Sequence, residues 1–243
     1  MTKALLLSAL LLGAVPAAAQ SPAAAVADAG RPAADRERDA DRKPADMLAF
    51  AGVKPGMTVV DIMPGGGYFT RLFSTAVGPS GKVYGWVPDE VLQRMPKMLD
   101  GINAIAAEPG HGNVAAAHNA MMSPSQSAVA DVVWTSQNYH DFHNQPTADL
   151  VAFNKLVFQS LKPGGVYLVL DHAAKPGSGL ANTKDLHRID PAVVRKEAEA
   201  AGFKYVGASK ALANPKDDHT LKVFDPALRG KTDQFVLKFR KPA

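Results

Sequence analysis

The sequence predicts an α/β fold: a doubly wound, mostly parallel sheet whose last strands form an antiparallel edge. Three observations carry this expectation. Strand-like apolar runs alternate with amphipathic helical ones from Thr58 to Gly202, the order that builds a parallel sheet with crossover helices. The central runs, such as "VYLVL" (Val166–Leu170), are continuously apolar, as in strands covered on both faces. Two late runs, "KYVGASK" (Lys204–Lys210) and "QFVLKFRK" (Gln234–Lys241), have no convincing helix between them, which suits an antiparallel edge.

The elements follow in order. The first 19 residues, "MTKALLLSALLLGAVPAAA", combine Lys3, a short apolar stretch and Ala17-Ala18-Ala19, and read as a secretory signal peptide. Residues 20–34 are Ala, Pro, Gly and polar, and are expected to be a disordered linker. A single domain is expected over 35–243. The charges of "DRERDADRKPADMLAFAG" alternate in sign, as on a solvated face, and Pro44 and Gly52 bracket a first helix. Thr58–Met63 is a strand, and Tyr68–Val77 a helix with Tyr68, Phe69, Leu72, Phe73, Ala76 and Val77 on one face. "GKVYGWV" is a second strand. Val91–Ala107 is a helix disturbed at Pro96, and Asn113–His118 a third strand. Ala130–Ser136 is a fourth strand, Thr147–Leu161 a helix and "GVYLVLDH" a fifth strand. Asp190 caps a last helix that Pro191 opens and Gly202 closes.

The composition narrows the function. The chain has 243 residues, no cysteine and a formal charge of +4 without a long basic run. An exported protein of this kind relies on its core rather than on disulfides. Its scattered charge argues solubility and gives only weak support for nucleic acid or an acidic membrane, so no nucleic-acid partner is expected, and no later apolar run is long enough for stable membrane insertion. The oligomeric state is left open. The expected compartment is periplasmic or extracellular, after cleavage near Gln20.

The first strand runs into "VVDIMPGGGYFT" (Val59–Thr70). Ligands of doubly wound sheets bind beyond the carboxyl ends of the strands, and glycines there let a ligand approach the backbone at a helix N-terminus. Together with "ADVVWTSQNYHDF" and "LKPGGVYLVLDH", this stretch resembles the class I S-adenosylmethionine-dependent methyltransferases from about Val53 to Leu170. The likeness is closest to a bacterial exported group of predicted methyltransferases that carries "PGGGY" and "NYHDF". It implies a Rossmann-like seven-stranded sheet with a reversed last hairpin, and S-adenosylmethionine as cofactor. Carried over position by position, it makes Asp61 the acid that ends the first strand, and Gly65 and Gly67 the later glycines of a D-x-G-x-G-x-G pattern, with Gly66 between them. Met63 stands at the first glycine, beside Pro64, which has no N–H to offer. Val87 stands near the usual ribose-binding acid, so Asp89 or Glu90 takes that role from a shifted position. Asn119 falls near the usual adenine contact.

The stretch "QNYHDFHN" (Gln137–Asn144) offers the chemistry of methyl transfer. His140 beside Asp141 is the candidate general base, and Tyr139 the candidate ring against a sulfonium. With Asp171 and His172 these residues should converge on one cleft facing Gly65–Gly67. Ordinary loop polarity outweighs a metal at His140, Asp141, Asp171 and His172, and no metal is assigned. "LHRIDP" and "NPKDDHT" are candidate lids, in which Asp190 is a helix cap and Arg188 meets either an acidic substrate or a surface partner. Methyl transfer to a small molecule is the leading function. The alternative is an exported, non-enzymatic ligand-binding protein on a degenerate methyltransferase fold. A hydrolytic or metal-dependent enzyme comes last, since there is no nucleophile elbow and no clear zinc spacing.

Overall fold

Strands β1 (Thr58–Ile62), β2 (Lys82–Pro88), β3 (Val114–Asn119), β4 (Ala130–Ser136), β5 (Leu161–His172), β6 (Lys204–Ser209) and β7 (Gln234–Arg240) form one seven-stranded sheet. The structure, a computed structural model, describes residues 21–121, 128–146 and 148–243. The strand order is β3-β2-β1-β4-β5-β7-β6. β1 pairs parallel with β2 and β4, and only β7 runs against its neighbours, β5 and β6. This is the expected doubly wound sheet with an antiparallel last strand. The order reverses between β1 and β4, which opens a crevice at their carboxyl ends.

Helices cover both faces. On one face lie α4 (Pro44–Ala51), α5 (Tyr68–Val77) and α7 (Met98–Ala107), with α6 (Asp89–Leu92) just after β2. All six residues expected on the apolar face of α5 are buried. Phe69 and Phe73 pack on Trp134 of β4, with ring centroids 4.7 and 5.6 Å apart. The other face carries α8 (Tyr139–Phe142), α9 (Leu150–Ser160) and α10 (Pro191–Ala200) over a second core that includes Phe153, Tyr167 and Phe239. Asp149 and Asp190 cap α9 and α10, each accepting an amide two or three residues on at 2.9 Å. The disturbance expected at Pro96 within Val91–Ala107 is a full break, which divides the segment into α6 and α7. Pro96 lies in that break, where it has no amide to donate to a helix.

The N-terminal stretch corrects an expectation. Residues 20–34 are not wholly a linker: α1 (Pro22–Ala27) is helical, and α2 (Ala33–Arg36) and α3 (Asp39–Arg42) follow. Ser21 caps α1 at 3.2 Å, and Ala25 is fully buried in the core of α4 and α5. Polar partners complete the docking. Arg31 grips both carboxylate oxygens of Asp39 at 2.7 and 2.8 Å, and Arg71 of α5 meets Asp35 at 3.2 Å. Composition alone undercounts such a segment, because its order comes from surface and ion partners elsewhere in the chain. The alternating charges of residues 35–43 are correspondingly not all solvated. The expected signal peptide, residues 1–19, lies outside the described residues. Among the described residues, no helix is long and apolar enough to cross a membrane.

Candidate active site at the carboxyl ends of the central strands

The glycine loop follows β1. Met63, Gly65 and Gly67 all have positive φ, at 50°, 57° and 79°. These are the alternate positions of the D-x-G-x-G-x-G pattern, so the loop keeps the left-handed path even where methionine replaces glycine, at the cost of strain at Met63. A side chain on Gly67 would meet Ile105 Cδ1 at 2.0 Å, whereas one on Gly66 would meet nothing within 4 Å. The space beside Gly66 is therefore open, while Gly67 is favoured by its left-handed φ, with Ile105 close by. Asn138 braces the loop from β4 by donating to the carbonyls of Ile62 and Met63 at 3.1 and 3.2 Å.

Asp61 is buried under this loop and accepts from Thr70 Oγ1 at 2.7 Å. Burial raises its pKa to about 7, against the lowering effects of the Thr70 hydrogen bond and the charge of Arg42. Arg42 enters from α3. Its guanidinium lies 4.8 Å from the Tyr68 ring centroid and 5.4 Å from that of Phe69, and it donates to Gln137 Oε1 at 2.8 Å. Burial brings its pKa down to about 10, so it stays charged at neutral pH. No sequence motif marked Arg42. The resemblance began at Val53, and its segment read as solvated.

The ends of β2 and β3 hold Asp89 and Asn119, with Pro88 and Asn119 in register. Asp89 is exposed and lies 2.7 Å from His118 Nδ1. Trp86 Nε1 donates to Asn119 Oδ1, and Glu90 accepts the Met121 amide at 2.9 Å. Val87 is fully buried. Of the two acids proposed for a ribose, Glu90 is thus engaged with backbone, and Asp89 is the more accessible.

The histidine rim follows β4 and β5. Buried Asp171 accepts the His140 amide and faces His140 Nδ1, both at 2.8 Å. His140 Nε2 lies 3.3 Å from both Asp141 Oδ1 and His187 Nδ1. Burial alone would push the His140 imidazole down, but Asp171 and Asp141 together outweigh it and hold its pKa at about 10. His187 is lowered by burial, against the pull of Asp141. His172 is pushed down to about 4 by burial, despite Asp171, and lies 2.7 Å from Thr232 Oγ1. His140, Asp141, Asp171 and His172 therefore converge as expected, but the protonation differs: resting His140 already carries its proton, and His187 is the neutral imidazole.

Tyr139 does not join them. Its ring is fully buried, and its hydroxyl donates to Glu197 and accepts from Asn154, both at 2.8 Å. Successive helical residues point about 100° apart, so the turn that aims His140 at Asp171 sends Tyr139 into the core beneath α9 and α10. The expected contact with a sulfonium is overturned. Arg188 is also corrected. It is fully buried, pairs with Asp217 at 2.9 Å and donates to the carbonyls of Ala173 and Leu221. It ties the "LHRIDP" and "NPKDDHT" loops together and offers nothing to a substrate.

His187 is the rim residue that sequence reasoning left without a catalytic role. It sits alone in a loop with φ of 55°, a strained conformation for a non-glycine residue that has no sequence signature.

No protein-family model and no curated protein matches the chain. Solved structures do match in fold. A SAM-dependent methyltransferase from Aquifex aeolicus superposes with a TM-score of 0.60 at 18% identity, covering 89% of this chain and 97% of that one. An S-adenosylmethionine-dependent methyltransferase from Mesorhizobium loti gives 0.56 at 14%, covering 81% and 96%. The cyclase SpnF gives 0.58 at 17%, covering 89% and 86%. The chain therefore has the class I methyltransferase fold. The cyclase is a reminder that one fold hosts more than one reaction, so function has to be argued from the site.

Proposed function

We propose that this protein is an S-adenosylmethionine-dependent methyltransferase acting on a small molecule, akin to the exported bacterial group that its motifs resemble. The observation that carries the reading is the pairing of Asp61 and Arg42 beside an open glycine loop. An α-amino acid end carries one ammonium and one carboxylate. Asp61, destabilised by burial, gains most from an ammonium, and Arg42 is a charged donor for the carboxylate. The space at Gly66 admits a ligand close to the backbone. These residues fit the cofactor, which when bound supplies an electrophilic methyl group.

The chain's own residues do the rest. Asp89 is the accessible acid for ribose hydroxyls at the β2 end. The acceptor faces the rim, where His187 turns its Nδ1–H toward Asp141 Oδ1 at 3.5 Å and keeps its lone pair at Nε2. His187 thus receives the acceptor's proton, and Asp141 and Asp171 stabilise the resulting positive charge. Export is part of the proposal: residues 1–19 are removed and the mature protein begins near Gln20. N-terminal sequencing of fractionated protein checks this, and an intact Met1 in the cytosol overturns it.

Isothermal titration with S-adenosylmethionine and S-adenosylhomocysteine, followed by an acceptor screen, tests the central claim. Saturable binding with turnover supports it. Binding without turnover across a broad acceptor set favours the ligand-binding alternative. No binding of either compound refutes the cofactor.

A further inference from the structure

We infer that His140, Asp141 and His187 form a binding site for a divalent transition metal, with zinc the ion that the donors suit best. The three candidate ligand atoms are His140 Nε2, whose proton the ion displaces to solvent, Asp141 Oδ1 and His187 Nδ1, in the tautomer that carries its proton at Nε2. Their separations are 3.3 Å, 3.3 Å and 3.5 Å. A tetrahedral ion with bonds of about 2.0–2.1 Å has ligand–ligand edges of about 3.3–3.4 Å. The triangle therefore already has the size of one face of such a site, and the fourth position is left for another ligand. Two imidazoles and one carboxylate favour zinc or its neighbours over magnesium or calcium, which take oxygen donors.

A second observation comes from behind the ligands. His140 presents Nε2 to the triangle because Nδ1 faces the fully buried carboxylate of Asp171 at 2.8 Å. That carboxylate–histidine arrangement fixes ring orientation and tautomer in metal sites. The same carboxylate also accepts the amides of His140 and His172, both at 2.8 Å, so it cannot swing away without losing them. His187 reaches the triangle from a loop 47 residues later, through a backbone held at positive φ, with its ring packed against Phe224 at 4.9 Å. A backbone strained to bring a third donor into range suits a site whose ligand repays the strain.

The consequence for the acceptor rests on the methyltransferase reading. An ion here would hold an oxygen or sulfur of the acceptor at the fourth position and lower its pKa. The acceptor would then be an alcohol, phenol or thiol that reacts as its anion. Its proton would leave to solvent rather than to His187, whose lone pair is engaged by the ion.

The metal-binding test uses no cofactor, so its outcome is separate from that of the methyltransferase reading. The full chain, untagged and stripped with chelator, is titrated with zinc chloride alone and with cobalt chloride alone. One equivalent of each is expected to bind, and cobalt is expected to show the intense visible bands of a four-coordinate site. His187→Ala and Asp141→Asn should each weaken zinc by at least about 100-fold, and Asp171→Asn by about 10- to 100-fold. Both ligand side chains are partly exposed, so the first two variants keep their circular dichroism even if His140→Ala does not fold. His219→Ala, which lies at Asp233 instead, should leave the stoichiometry at one. Failure to bind an equivalent of either ion overturns the inference. So does binding that His187→Ala and Asp141→Asn leave unchanged.

Discussion

The glycine loop and the histidine rim occupy the same edge of one sheet, yet they hold their shape differently. From Asp61 to Thr70 the shape comes largely from backbone, through left-handed turns at Met63, Gly65 and Gly67, and one local side-chain hydrogen bond from Thr70 to Asp61 closes it. The rim draws on residues 140, 141, 171 and 187, and side-chain contacts between separate loops hold it. A loop built from backbone tolerates an altered side chain, as Met63 shows. A rim built from side chains fails when any one of them is replaced. The two regions should therefore fail for different reasons: the rim when a side chain is lost, the glycine loop when one is added at Gly66 or Gly67.

The largest expected effect is at the rim. His187→Ala should lower turnover by about 10²–10⁴-fold while S-adenosylhomocysteine affinity stays within experimental error. Steady-state kinetics beside titration calorimetry checks this, and a parallel loss of affinity would mean that the two regions are not separable.

Next comes the tie that holds the rim loops. Arg188→Met strands Asp217 in the interior, and breaking such a buried pair costs about 3–5 kcal/mol. The lower end is expected, since the amides of Asp233 and His219 still donate to Asp217. Urea unfolding measures it. An unchanged midpoint would show that the loops are held by packing alone.

Within the glycine loop, Gly66→Val should keep its melting temperature and weaken S-adenosylhomocysteine by about 10²-fold, equivalent to about 2.7 kcal/mol. Gly67→Val should instead destabilise the fold, because its side chain meets Ile105 and its φ is 79°. Thermal melts of the pair distinguish ligand space from packing space. Equal affinity in Gly66→Val and the parent would place the ligand elsewhere.

The smallest effect is the dependence on pH. Asp61 has a pKa of about 7 without ligand, and an ammonium beside it favours the carboxylate. Affinity should therefore be full above pH 7 and fall about tenfold per unit below it, until the acid's pKa in the complex is reached. Calorimetry between pH 5 and 8, with Asp61→Asn as the flat control, tests the sign. An affinity that rises on acidification would exclude Asp61 as the ammonium partner.

Much of the fold was legible because its signals are local. The strand runs and the apolar face of α5 follow from periodicity, and Asp190 was read as a cap from its place before Pro191. The glycine loop was legible for the same reason: a turn's backbone demands appear in the residues that make it. The N-terminal helices were not legible, because Ala25 and Arg31 find their partners only once α5 and Asp39 are in place. Tyr139 escapes the sequence because a motif names neighbours in sequence, while a single helical turn aims those neighbours about 100° apart, one at Asp171 and the other into the core.

The sequence by itself determined the doubly wound sheet, its reversed last strand, and the place where a ligand should sit. Periodicity and turn chemistry are properties of neighbouring residues, and the rule placing ligands at the strand ends needs no more than strand order. Only the tertiary structure decided the chemistry at that place. It brought Arg42 to Gln137 across 95 residues and His187 to His140 across 47, and set Asp171 behind the latter. It also decided the protonation of the rim, because a pKa depends on burial and on charges that no sequence interval brings together.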